Sequence, residues 1–201
     1  RPWQERVALM RRVTETNRKH RLELSALMGY EVGKNRLECL GDVEESADLI
    51  AYYCDQMEEN FGFTRKMGKL NENEENVSVM RPYGVWAVIS PFNFPMALAA
   101  GPSGGALVSG NTVVSKPASD TPLSALRLGE LALEAGVPPG AFHVLPGPGE
   151  TVGTALVSHP LVRKISFTGS TEAGRSVMRR SGNRRVVART RLSGTWSAHG
   201  P

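Results

Sequence analysis

Four short apolar runs, at 85–90, 112–115, 141–145 and 163–167, recur along the middle of the chain at intervals of 22 to 29 residues. Each is too short for a helix and draws on β-branched or aromatic side chains, the mark of a buried strand. The gaps hold a helix apiece, and strands joined by such crossovers lie parallel. The expected fold class is therefore α/β, an open parallel sheet with helices on both faces. Ligands of such sheets bind outside the carboxyl ends of the strands. The residues just after each run are where chemistry is to be sought.

Punctuation supports the frame. Over 122–135, Thr121 is placed to cap a helix, Pro122 suits its first position and Gly136 its end. Leu123, Leu126, Leu131 and Leu133 are its expected apolar side. A shorter helix over 150–158 follows Gly147-Pro-Gly-Glu and stops before Pro160. Residues 2–60 read as helices. There Val43, Ala47, Ile50, Cys54 and Met57 share one face, which makes Cys54 a packing thiol rather than a nucleophile. The polar stretch 61–77 reads as a connector with room for a short edge strand. Three regions result: an N-terminal helical segment and connector, 1–80; an α/β region, 81–180; and a tail, 181–201. The tail lacks a sustained period and is expected to be disordered or the product of a shifted reading frame, with Arg185 to Ala188 alone resembling a strand.

The net charge of +4 is misleading. Residues 175–201 hold seven arginines and no acid, and the remainder has 17 basic against 20 acidic residues. The bulk is slightly acidic, and no aromatic residues interleave the tail arginines in a way that suits nucleic acid. No run of 18 apolar residues predicts a membrane span. Two cysteines 15 apart match no zinc or redox pair, and the four histidines have no ligand spacing. A reduced, cytoplasmic setting is the simplest expectation.

Three motifs follow the strands. Pro91-Phe-Asn-Phe-Pro95 places one polar side chain, Asn93, between two rings. Lys116-Pro117-Ala118 ends the second strand. Phe167-Thr168-Gly169-Ser170 ends the fourth and opens a helix. Taken singly, each has an ordinary reading: a turn-forming Asn, a solvated Lys, a capped strand-to-helix turn. In this order, on this frame, they closely resemble the aldehyde dehydrogenase superfamily over about Trp3 to Arg180. The wording RPYGVWAVISPFNFP is most similar to the branch that oxidises glutamate semialdehyde, the Δ1-pyrroline-5-carboxylate dehydrogenases of proline catabolism.

The resemblance implies a Rossmann-like dinucleotide-binding region, oxidation of a small aldehyde to a carboxylic acid, NAD or NADP as cofactor, and homo-oligomeric full-length relatives. It implies that Asn93 stabilises the oxyanion, that Lys116 binds the adenosine ribose, and that Ser170 with adjoining amides holds the pyrophosphate. Ile89, Ser90, Pro91, Phe92, Ala118, Ser119, Gly149, Gly153, Phe167, Thr168, Gly169 and Ala173 complete the expected cofactor site. Many NAD-preferring members carry Glu at the position of Ser119, so a serine leaves room for NADP. The sequence departs from the family in two ways. No cysteine matches the family's nucleophile, and the Glu-Leu-Gly-Gly-Lys segment that carries the general base is absent. The alternative is a non-catalytic remnant that binds a dinucleotide weakly or not at all.

Overall fold

The computed structural model describes residues 1–182 and 184–191. Three helices come first: α1 (Trp3–Lys19), α2 (Arg21–Val32) and α3 (Arg36–Glu59). A two-stranded antiparallel ribbon follows, β1 (Thr64–Lys66) and β2 (Val77–Val79), exposed along its length. The α/β region runs β3 (Val85–Ile89), α4 (Ala97–Val108), β4 (Thr112–Lys116), α5 (Leu123–Glu134), β5 (Phe142–Val144), α6 (Thr154–Ser158), β6 (Val162–Ser170), α7 (Thr171–Arg180) and β7 (Arg185–Arg191).

The five strands β3 to β7 form one parallel sheet in the order β5-β4-β3-β6-β7. The chain winds outward from β3 through β4 to β5, then returns to the other side of β3 for β6 and β7. The order therefore reverses between β3 and β6, which is the switch point where open α/β sheets leave a crevice.

Side chains alternate across the sheet. On one face Val88 and Val113 join a large core with α1, α3, α4 and α5; on the other Ala87, Ile165 and Phe167 pack with Leu156 and Val157 of α6 and Val177 of α7. Helices thus cover both faces. Val43, Ala47, Ile50, Cys54 and Met57 are all at most 4% exposed, so the predicted face of α3 is the buried one. It meets α4 at close range. A Cβ on Gly104 would stand 2.7 Å from Ile50 Cγ1, and one on Gly101 2.8 Å from Leu49 Cδ1. The small-residue run in α4 is what lets the two helices approach.

Several expectations are corrected. Thr121 does not cap α5; the carboxylate of Glu31, from the end of α2, accepts from the backbone N–H of Leu123 and, at 3.0 Å, from that of Ser124. Leu123 and Leu133 are about half exposed, while Leu128 and Leu131 are buried, so the inward stripe of α5 is rotated from the expected one. The stretch Gly149–Gly153 is a π-helical turn that leads into the short α6. β6 continues past Phe167 to Ser170 because β7 pairs with it from Lys164↔Arg185 to Ser170↔Arg191. The tail is thus not without structure over 185–191, and the strand is longer than the four residues expected. Arg184 anchors its start by donating to the carbonyls of Ser158, His159, Ser181 and Val162. Residues 192–201, where the expectation of a disordered or frameshifted tail also falls, lie outside the described residues.

Candidate functional site

The carboxyl ends of three strands meet in register. Ile89 of β3 stands beside Lys116 of β4 on one side and Phe167 of β6 on the other. They close one end of a groove of about 710 Å³. Gly149, Gly153 and Val157 form one wall from the π turn and α6, and Ser170 at the end of β6 with Ala173, Ser176, Val177 and Arg180 of α7 forms the other. The groove is of mixed character: Ile89, Phe167, Val157 and Val177 are apolar, and Lys116, Thr154, Ser170, Ser176 and Arg180 are polar. Seven of the residues expected at the cofactor site line it: Ile89, Lys116, Gly149, Gly153, Phe167, Ser170 and Ala173.

Lys116 is 4% exposed. Its Nζ donates to Pro117 O at 2.8 Å, and burial pushes its pKa below the ordinary lysine range. An ammonium has three donors, so donor capacity remains for a hydroxyl or phosphate oxygen in the groove. Ser170 caps α7: its Oγ accepts from Ala173 N at 3.2 Å. The hydroxyl keeps its own proton to donate, at the positive end of a ten-residue helix. Gly147 has φ +146°, and a Cβ there would lie 2.5 Å from Val152 Cγ2, so only glycine fits the turn that begins the α6 wall. Ser119 Oγ donates to Gly147 O at 3.0 Å, tying the loop after β4 to the loop after β5.

The remaining expected residues sit on the same strand ends but outside the groove wall. Ser90, Pro91 and Phe92 belong to the loop after β3; Ala118 and Ser119 follow β4; Thr168 and Gly169 lie in the β6 ladder. The Ser90 hydroxyl is buried, with no hydrogen-bond partner among the described residues. Asn93 is half-buried between β3 and α4, and its side-chain amide makes no hydrogen bond among the described residues. It therefore has donors to offer.

Sequence reasoning missed the far end of the groove, Ser176, Val177 and Arg180, and the acids Glu150 and Glu172 at its rim. The helical period of α7 could have found them, since 173, 176, 177 and 180 share a face. It also missed Lys34 and Asp42. Asp42 has a fully buried side chain on α3; its carboxylate accepts from Lys34 Nζ at 2.9 Å and from Ala97 N at 2.7 Å. Burial pushes the Asp42 carboxyl up from its ordinary value, and these two donors oppose that shift. No signal in the sequence marked this pair, because its partners are distant along the chain.

Neither cysteine is placed as a nucleophile. Cys39 is 1% exposed and its thiol is pushed up by burial; Cys54 is fully buried and pushed up to about 11. Both stay protonated near neutrality, and the thiolate is the reactive form. Among the described residues no group of three His, Cys, Asp or Glu could hold a metal ion, and no helix is long and apolar enough to cross a membrane.

Comparison with known proteins places this geometry. Residues 1–195 match the model of the Aldehyde dehydrogenase family. The chain is 41% identical over 174 residues to the succinate-semialdehyde dehydrogenase [NADP(+)] GabD of Escherichia coli K12, covering 87% of this chain and 36% of that enzyme. It is 41% identical over 179 residues to the 1-pyrroline-5-carboxylate dehydrogenase of Geobacillus sp. WCH70, covering 88% and 34%. A solved structure of proline utilization A (PutA) superposes with a TM-score of 0.90 at 35% identity, over 94% of this chain and 20% of that one. The chain spans about a third of the length of these two curated relatives. With the family's motifs standing in order at the strand ends and its model matching nearly the whole length, the chain belongs to the aldehyde dehydrogenase family.

Proposed function

We propose that this chain provides the dinucleotide site and the oxyanion-stabilising asparagine for NAD(P)-dependent oxidation of an aldehyde to a carboxylic acid, with glutamate semialdehyde as the favoured substrate. The observation that carries the reading is the groove itself. A buried lysine with spare donors and a capped helix N-terminus line it, together with Val157 and Val177 from the two helices.

The residues suit a dinucleotide. Lys116 Nζ is placed to donate to ribose hydroxyls. Ser170 and the N-terminus of α7 suit a pyrophosphate. Val157 and Val177 offer an apolar slot for a flat base. Ser119 carries no charge to repel a 2′-phosphate, which favours acceptance of NADP alongside NAD, and the GabD relative is named for NADP(+). A bound nicotinamide dinucleotide supplies the hydride acceptor. Asn93 donates its neutral amide to the aldehyde oxygen as negative charge gathers there, a contribution of about 3 kcal/mol for one such donor.

A second reading rests on the thiols. Covalent aldehyde oxidation needs an activated nucleophile, and both cysteines are buried with raised pKa values. On that ground the chain is a binder of the dinucleotide with no turnover of its own.

Calorimetric titration of the purified chain with NADP and with NAD tests the proposal. Binding is expected for wild type, with affinity reduced about tenfold or more in Lys116→Met, the loss of one hydrogen bond from a charged donor. Equal affinity in wild type and variant, or no binding at millimolar dinucleotide, would remove the groove as the site. Cofactor-dependent oxidation of glutamate semialdehyde by the isolated chain would overturn the second reading.

A further inference from the structure

The loop that carries Asn93 is held from outside the sheet. It begins at Ser90, directly after β3, and its last residues lead into α4, whose first residue is Ala97. The N-cap position of α4, Met96, offers no side-chain hydrogen bond. The Ala97 N–H has no acceptor within its own helix, as is true of every first-turn amide, and Asp42 Oδ1 takes it at 2.7 Å. The other carboxylate oxygen of Asp42 binds Lys34 Nζ at 2.9 Å. The same Nζ stands 3.6 Å from the centre of the Phe94 ring, within the range of a cation–π contact. One ion pair, built by the α2–α3 turn and α3, thus grips the loop at residue 94 and at residue 97.

Stability alone does not account for the arrangement. The Asp42 side chain is fully buried and Lys34 nearly so, and an apolar pair of similar volume commonly does as well or better than a buried ion pair. What the ion pair adds is direction. A carboxylate fixed by Lys34 gives the first amide of α4 one acceptor in one place. An ammonium fixed by that carboxylate gives the Phe94 ring one seat. Asn93 is bonded to Phe94, and its half-buried side-chain amide makes no hydrogen bond of its own among the described residues.

We propose that Lys34 and Asp42 are positioning residues for Asn93, setting the place of its amide at the carboxyl edge of the sheet without touching the substrate. The inference rests on the assignment of Asn93 as the oxyanion donor, but the position of the loop can be measured without it.

The test uses the 201-residue chain and residue-resolved NMR with hydrogen exchange. Three variants serve: Asp42→Ala, the charge-neutral pair Lys34→Met with Asp42→Asn, and Lys34→Arg as the conservative change. The neutral pair keeps an acceptor and the volume, so it folds if Asp42→Ala does not. In Asp42→Ala the Ala97 amide is expected to exchange roughly tenfold faster, while amides of Val88 and Ile165 in the central strands keep their protection. In the neutral pair the Asn93 side-chain and Phe94 ring resonances are expected to move, with dinucleotide affinity at the groove within about twofold of wild type. Lys34→Arg, which keeps the charge, is expected to leave both near their wild-type positions. Unmoved Asn93 and Phe94 signals in the neutral pair would overturn the proposal. So would a uniform loss of protection across α4 and the sheet in both destabilising variants, which is what a purely structural ion pair would give. An Asn93 with no part in aldehyde chemistry would leave all of these loop readings as expected and fail only in the aldehyde assay, so the two failures are distinct.

Discussion

At the scale of single residues, burial decides which groups can act. Lys116 and Cys54 are both buried ionisable groups, and burial favours the neutral form of each. For Lys116 this lowers the folded-state pKa. The unfolded chain then binds the proton more tightly, so stability rises with pH through the window below the ordinary lysine value of 10.5. At neutral pH the buried cation is a cost that binding would recover. Lys116→Met should therefore stabilise the free chain by on the order of 1 kcal/mol, a melting temperature about 2–4 °C higher, while weakening dinucleotide binding. A variant that melts lower than wild type would show that the lysine is a structural asset. Cys54 shifts the other way, from 9.0 to about 11. Its contribution is complete below pH 9 and is lost as pH rises through 11, because only the unfolded thiol ionises early. The difference in urea midpoint between wild type and Cys54→Ala should narrow between pH 8 and pH 11. A constant difference over that range would show that Cys54 ionises as freely in the fold as in solution.

At the scale of elements, the side-chain caps of the helices in the α/β region come from unlike places. α7 is capped locally by Ser170. Ser170→Ala should lower stability by about 1 kcal/mol, read as a shift of the urea midpoint with unchanged slope; no shift would mean that water replaces the cap fully. α4 and α5 are capped instead by Asp42 and Glu31 of the N-terminal segment. This contrast explains what the sequence disclosed. The capped turn that opens α7, the strands and the α3 face were legible because each is a local period or a neighbouring pair of residues, although the sequence did not choose between Ser170 and Thr171 as the cap. Thr121 was read as a cap for the same reason and the reading was wrong: a carboxylate 92 residues away reaches Leu123 N. The sheet-edge end of the groove was legible through its motifs, Lys116 and Phe167 to Ser170. Its far end was not read: the helical period of α7 puts Val177 and Arg180 on one face, but that this face lines the groove follows only from the packing of α6 on α7. β7 was half legible: Arg185 to Ala188 showed β-forming residues, but its extension to Arg191 is dictated by the length of β6 beside it.

At the scale of the whole molecule, the sheet has two unequal edges. β5 is three residues long and offers little for another strand to pair with. β7 is seven residues long and pairs only with β6 among the described residues, so its outer edge presents unpaired backbone donors and acceptors. Such an edge invites strand addition unless charge or cover prevents it. Here charge is the available means. Arg185 and Arg189 are exposed on β7, with Val187 between them 56% exposed. Arg185 also leans over the Tyr83 ring at 5.3 Å, which keeps its charge near the sheet. Two copies meeting edge to edge would bring these arginines together, and the repulsion is felt only while it is unscreened. The Debye length falls from about 10 Å at 0.1 M salt to about 3 Å at 1 M. Self-association should accordingly increase over that range in sedimentation velocity, and Arg189→Val should associate already at low salt. The dependence on salt should be flatter in the variant, because the repulsion being screened is smaller. Association that weakens as salt rises would mean that contacts between opposite charges, not this strand edge, bring the copies together.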